Sequence, residues 1–430
     1  MNVSIVLALR NQAQLRDLLN RLYDPSSPDF RHFLSVAQFT QQFGPTAEDY
    51  RKVVDFAQAN GLTVTRSPAN RLVVPVIGTV AQVQRAFNVS MRTYRHPTEN
   101  RTFFSPDREP SLDLNVPVAH IAGLDNFSIP RPSVLKPSAA EAFSKASGQG
   151  SGQGSGQGSG QGSGQGSGPG GSYLSSDMRA AYYGDGTLTG NGQTVALVQF
   201  DGYDISDVTT TFDGAATSST NGSNYELSYT PATGGTTYKI PINNVLLDGA
   251  DGAPNSGEDA EEVLDIAQAV GMAPGLSQVL VYIGAIDTDI LNQVASDNVA
   301  KQVSISWTWS PDDPSTDDVF FEEFAAQGQS AFAAAGDYGA FSPSIADYYP
   351  QEDAWVTAVG GTTLTTNGEG GAWASETTWS QSGGGISPDG IPIPGYQSGL
   401  ATSSNEGSTT LRNVPDVAME ADFDNYVYRQ

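Results

Sequence analysis

The spacing of hydrophobic positions changes twice along the chain and divides it into three parts. Over residues 1–128, short apolar runs alternate with amphipathic stretches. A strand is predicted at 3–9 and a helix at 11–23, where Leu15, Leu18, Leu19 and Leu22 share one face. A second helix, 46–60, opens on Thr46 with Glu48 and Asp49 in its first turn. A broken hairpin at 62–77, a helix at 80–87 and a strand at 118–125 follow. Strands interleaved with helices at this spacing suggest a ferredoxin-like α+β unit.

Residues 129–171 contain a Ser-Gly-Gln-Gly repeat that cannot bury apolar surface, so a flexible linker is expected there. From 172 to 430 the pattern becomes that of an α/β domain. Continuous apolar runs at 195–200, 279–283, 303–307, 331–335 and 355–359 predict strands buried on both faces, and helical patterns at 259–270, 288–297 and 317–329 lie between some of them. The expected architecture is a mainly parallel sheet with its site at the carboxyl-end loops.

One of the helices carries candidate chemistry. In the stretch 257–275, Val263, Ile266, Ala267 and Val270 form an apolar face, while Glu258, Glu261, Glu262 and Asp265 lie around the rest. Glu261 and Asp265 are four apart, so they sit on neighbouring turns of one face. Desolvated together, such a pair holds a proton above the usual carboxyl range. Acidic pairs at this spacing are also common on solvated helices, and Glu258 with Glu262 forms a second one.

Charge narrows the function. The net charge of −26 divides unevenly: residues 1–146 hold 16 Lys and Arg against 12 Asp and Glu, and residues 147–430 hold 5 against 35. The acidic part has no attraction for nucleic acid or an anionic membrane, and neither is expected as a partner. A basic amino-terminal part tethered to an acidic one should dock with its Arg and Lys facing carboxylates of depressed pKa, a latch that acid would loosen. All three histidines, His32, His96 and His120, precede residue 121, so a hydrolytic site further on must use carboxyl groups as proton carriers. There is no Cys, which rules out disulfides and thiolate sites. No apolar run reaches the length of a membrane span, and Met1 opens directly onto the first strand without a signal peptide.

Two further loops stand out. Ala335-Gly336-Asp337-Tyr338-Gly339 ends a small-residue strand with an Asp between glycines, which would aim a carboxyl at the mouth of the sheet or form an ordinary turn. The run Gly383-Gly384-Gly385 is a weaker signal.

Taken in order, these pieces resemble the sedolisin family of acid serine-carboxyl endopeptidases, kumamolisin-type members included. Pro25-Ser26-Ser27-Pro28-Asp29-Phe30 with Phe33-Leu34 and Phe39 is similar to the family's pro-domain signature. Glu261-Glu262-Val263-Leu264-Asp265 resembles its Glu-x-x-x-Asp helix, Ser304-Ile305-Ser306-Trp307 its substrate strand, and Gly336-Asp337-Tyr338-Gly339 its oxyanion loop. The resemblance implies a secreted zymogen, monomeric, with a ferredoxin-like pro-domain at 1–128 acting as an intramolecular inhibitor and a subtilisin-like catalytic domain at 172–430 that cleaves polypeptides in acid. It implies that Glu261 is the general base, Asp265 its partner and Asp337 a protonated donor to the oxyanion, with Trp307 and Gly384 lining the substrate cleft.

Two departures accompany it. Where kumamolisin-type members place a carboxylate that supports the Glu of the triad, this chain has Gln199. The family's nucleophilic Ser, in a Gly-Thr-Ser motif, and its calcium ligands lie beyond the stretch matching Asn413-Val414-Pro415-Asp416-Val417, so calcium is expected from the family with no ligands in this chain. A fragment lacking the carboxyl-terminal part is the expectation. The alternatives are a catalytically inactive homologue that binds peptides in the same cleft, and a cytoplasmic hydrolase that uses these carboxylates differently.

Overall fold

The fold is given by a computed structural model that describes residues 1–133, 166–168, 171–184, 188–210, 212, 214–221, 224–231, 235–254, 259–310, 314–342, 349–402 and 404–422. Most of the expected linker, 129–171, and Glu258 therefore lie outside the described residues.

The amino-terminal unit is a four-stranded antiparallel sheet in the order Thr63–Val64, Val73–Ile77, Asn2–Leu7, Val118–Ala122. This is the strand order of a ferredoxin-like unit, with the first strand in the middle between the third and last. Val3, Ile5 and Leu7 point to a core shared with Val53, Ala57, Val83 and Phe87, from the helices Ala47–Ala59 and Val80–Phe87. Thr46 caps the first of these as its position suggests, its Oγ1 accepting from Asp49 N at 3.0 Å. Two elements go beyond the periodic reading. Val36–Gln42 is a helix started by a Ser35/Gln38 capping box, and Met91–Arg95 with Thr102–Pro106 form a separate hairpin.

The second unit is built on a ten-stranded sheet in which seven strands run parallel: Val417–Glu420, which pairs with Val356–Thr366 alone, then Val356–Thr366, Ser330–Ala334, Gln302–Ile305, Thr194–Gln199, Gln278–Ile283 and Tyr238–Leu246. Antiparallel strands complete both edges, Trp373–Thr378 at one and Asn224–Pro231 with Gly214–Asn221 at the other. Ala260–Met272 packs Val263, Ile266, Ala267 and Val270 on one face against Leu197, Val279 and Val281. Asp287–Asp297 and Ser315–Gln327 cover the other face. From Thr194–Gln199 the next parallel neighbours lie on opposite sides, so a crevice opens at the carboxyl ends of Thr194–Gln199 and Gln302–Ile305.

The two units share a core. Leu15, Leu19, Leu22, Phe39, Phe43 and Leu72 of the first join Ile290, Val294, Phe320 and Phe324 of the second. The polar contacts across this face correct the charge-based expectation, because neutral donors meet two of its buried acids, Asp289 and Glu323. Ser4 Oγ donates to Asp289 at 2.5 Å, Asn70 Nδ2 to Glu323 at 2.9 Å, and Leu34 N to the Ala326 carbonyl at 2.8 Å. Arg66 reaches Asp289 at 3.4 Å, beside Asp248. Burial pushes the Glu323 carboxyl up to about 8 and raises Asp289 well above its usual range, the neighbouring Asp248 adding to the latter. The shift is upward where charge pairing would have depressed it.

Candidate active site

Three side-chain hydrogen bonds join the carboxylate helix to the crevice. Asp265, half-buried, accepts from Ser306 Oγ at 2.6 Å on one oxygen and from Gln199 Nε2 at 2.6 Å on the other. The buried indole of Trp307 donates to Gln199 Oε1 at 2.6 Å. Gln199 ends the central strand and is fully buried, so its amide orientation is set by Trp307 on one side and Asp265 on the other. Gln199 thus reaches Asp265, where the family resemblance pointed to a contact with the Glu. An amide cannot take a proton from its neighbour, and both donors favour Asp265 as the anion.

Glu261 stands one turn earlier. It is buried, and its Oε2 has no hydrogen-bond partner among the described residues. Burial raises its carboxyl well above the usual range, and the charge of Asp265 adds to the shift. Burial also lifts Asp265, to about 6, against the lowering effect of Ser306 and Gln199. The pair therefore keeps a proton above the usual carboxyl range. That proton belongs on Glu261, since both oxygens of Asp265 already accept.

Glu262 corrects the sequence reading. The sequence allows it a place on the solvated side of the helix, yet it is 1% exposed and neither carboxyl oxygen has a partner among the described residues. Burial pushes it up to about 8, with the charges of Asp201, Asp265 and Asp259 contributing. It is a neutral carboxylic acid in the folded state over the acid and neutral range.

Asp337 lies across the crevice from the helix, in the loop after Ser330–Ala334. Gly336 turns the chain with φ +92°, which an L side chain rarely adopts. The glycine run holds this loop from behind. Gly383 N donates to the Gly336 carbonyl at 2.5 Å, a Cβ on Gly383 would fall 1.8 Å from the Ala335 carbonyl oxygen, and the Gly384 carbonyl accepts from Phe341 N at 2.8 Å. Gly384 thus supports the Asp337 loop.

Between these walls lies a peptide segment of the same chain. Arg131–Pro132 pairs antiparallel with Trp307–Thr308, in the register Pro132 to Trp307 and Arg131 to Thr308. Ser133 N donates to the Ser306 carbonyl at 2.8 Å, and Asp337 N donates to the Ser133 carbonyl at 3.2 Å. The Ser133 side chain is 4% exposed. An extended peptide is thus held by its backbone, with one carbonyl beside Asp337 and next to the residue that binds Asp265. Sequence reasoning picked out Glu261, Asp265, Asp337 and Trp307 but missed the part played by Ser306, whose Ser-Ile-Ser-Trp context was its only signal.

Residues 1–127 match the family described as Pro-kumamolisin, activation domain. The chain is 27% identical over 422 residues to kumamolisin of Bacillus sp. (strain MN-32), covering 92% of this chain and 69% of that protein. It is 26% identical over 447 residues to sedolisin of Pseudomonas sp. (strain 101), covering 98% and 70%. Among solved structures, Pseudomonas sedolisin (serine-carboxyl proteinase) complexed with two molecules of pseudo-iodotyrostatin is 24% identical with a TM-score of 0.45, over 59% of this chain and 71% of that one.

Proposed function

The chain belongs to the sedolisin family and carries its pro-domain, and from this premise we propose that it is the zymogen of a secreted serine-type endopeptidase that works in acid. The observation that carries this reading is the seating of residues 131–133 on residues 306–308 and Asp337. A groove that holds an extended backbone next to a proton-sharing acid pair is suited to peptide hydrolysis. The same seating makes the pro-domain's own tail the inhibitor, because a substrate must displace it.

In this reading Glu261 accepts the proton of a serine hydroxyl on Oε2 as the proton it already holds passes to the ionised Asp265, so that the pair takes up one proton in all. Asp337, as a neutral acid, donates to the oxygen that turns negative when the carbonyl is attacked. The family's nucleophile sits in a Gly-Thr-Ser tripeptide, which does not occur in the 430 residues. What these residues supply is the base, its partner, the oxyanion donor and the groove. Calcium remains an expectation of the family. Among the described residues no group of three or more His, Cys, Asp or Glu could hold a metal ion, and no step here uses one. Among them, too, no helix is long and apolar enough to cross a membrane.

The second reading is an inactive peptide-binding homologue, since the backbone contacts of the groove need no nucleophile. Sequencing the reading frame past the codon for Gln430 separates the two. A frame that continues into Gly-Thr-Ser supports the peptidase, and its product should then lose hydrolysis of denatured protein at about pH 4 by orders of magnitude in Glu261→Gln, Asp265→Asn and Asp337→Asn. A stop codon, or full activity in these variants, overturns it.

A further inference from the structure

The strand in the groove is held at two places. One is the groove itself. The other is the hairpin of Met91–Arg95 and Thr102–Pro106, which grips the chain just before it enters. Asn126 N donates to the Phe104 carbonyl at 3.2 Å and Phe104 N to Asn126 Oδ1 at 2.7 Å. Arg101 donates to the Asn126 carbonyl at 2.7 Å and also to the Phe127 carbonyl. The Phe127 ring stacks on His96 at 4.6 Å and meets Phe103 edge-on at 5.0 Å. One anion ties these parts together: Glu99 accepts from Arg101 Nε at 2.5 Å on one oxygen and from Arg131 on the other.

We propose that this hairpin is an acid-sensitive clamp, in which ionised Glu99 holds residues 126–133 in the groove and its protonation releases them while the body of the pro-domain stays docked. The proposal rests on reading the groove as a substrate site. The charged and titratable groups facing Glu99 are Arg101 and Arg131, with His96 Nε2 at 3.9 Å. The bond from Arg101 and the charges of Arg131 and Arg101 hold its carboxyl below the usual range. The grip is therefore complete above the ordinary carboxyl value and is lost as the pH falls through the depressed one. Once Glu99 is neutral, Arg101 and Arg131 face each other without the charge that bridged them. The docking face responds differently. There Glu323, pushed up to about 8 by burial, already holds its proton, and burial with the neighbouring Asp248 raises Asp289 in the same sense, so acid does not remove their contacts with Asn70 and Ser4. Acid would thus clear the groove without detaching the inhibitor's body.

Hydrogen exchange on the full 430-residue chain tests this between about pH 7 and pH 3, read as protection relative to the unstructured rate. Ser133 N and Asp337 N report the strand, and Leu34 N reports the docking face. Ser133 and Asp337 should lose protection by about two- to thirtyfold as Glu99 protonates, the range for two exposed ion pairs, with Leu34 unchanged. Glu99→Gln, with Arg131→Gln as a second variant, should show the loss already at pH 7. Equal protection in both variants and the parent chain, or joint loss at Leu34 and Ser133 on acidification, overturns the clamp. A blocked peptide of sequence Ile-Pro-Arg-Pro-Ser separates the two layers. If the strand is released but the peptide does not bind, the groove reading fails and the clamp stands.

Discussion

Glu262→Gln isolates the cost of a buried acid without changing its shape. The carboxyl is 1% exposed, has no hydrogen-bond partner among the described residues, and is pushed up to about 8 from 4.5, chiefly by burial. An unfolded chain releases this proton near the ordinary value, and the folded one keeps it until about 8. Stability contributed by the neutral form is therefore complete below about pH 4.5 and falls by ~1.4 kcal/mol per unit as the pH rises to about 8, a total of ~5 kcal/mol at most. Gln carries no charge at any pH, so the variant should escape this loss. In urea unfolding followed from about pH 4.5 to 8, the stability of the variant relative to the parent should climb with pH at a slope approaching one proton. In acid the two should be close, and the proton affinity of Glu261 should be unaltered there, because Glu262 is neutral in the parent too. A difference that does not vary with pH would refute the assignment of Glu262 as a buried neutral acid.

Three further outcomes follow from the same reasoning. Gln199→Glu places a second carboxyl 2.6 Å from Asp265, so the acid pair should hold its proton to higher pH; carboxyl chemical shifts that stay put or move down on titration count against the network. Residues 1–430, purified alone, should not hydrolyse denatured protein at about pH 4, and turnover would refute the assignment of the nucleophile to a Gly-Thr-Ser serine. With the chain nicked between its two units, pro-domain affinity should rise as the pH falls from about 8 towards 4.5, because docking desolvates Glu323 and burial outweighs the lowering effect of the Asn70 hydrogen bond; weakening over that window, by calorimetry, would restore the charge-pairing picture.

Much of the second unit could be read from periodicity because its central strands are covered on both faces. Val279–Ile283 is continuously apolar for that reason, Val303–Ile305 is interrupted only by the half-buried Ser304, and the structure places strands at both within one or two residues. The edges were less legible. Gly214–Asn221 is made of Gly, Ala, Ser, Thr and Asn, with no apolar period, and is a strand only because Asn224–Pro231 pairs along its whole length. In that neighbour, Tyr225, Leu227 and Tyr229 do alternate, so a signal existed. The helix Val36–Gln42 is too short for a clear apolar face, and its readable mark is the Ser35/Gln38 capping box.

Charge was the least transferable part of the sequence reading, and the reason is physical. A difference between +4 and −30 describes totals, whereas docking depends on the few groups that lose water when the units meet. The acids this face takes from that surplus include Asp289 and Glu323, which a hydroxyl and an amide meet as well as Arg66. In such surroundings desolvation outweighs pairing, so these carboxyls rise in pKa where long-range attraction alone would lower them. Pairing wins only where the groups stay near water, as at Glu99 between Arg101 and Arg131. Two acids of one sequence thus respond to acid in opposite senses, one retaining its contact and the other losing it, and burial decides which. The sign of a pH response at this zymogen's interfaces therefore follows from the exposure of each carboxyl, which no count of residues along the chain contains.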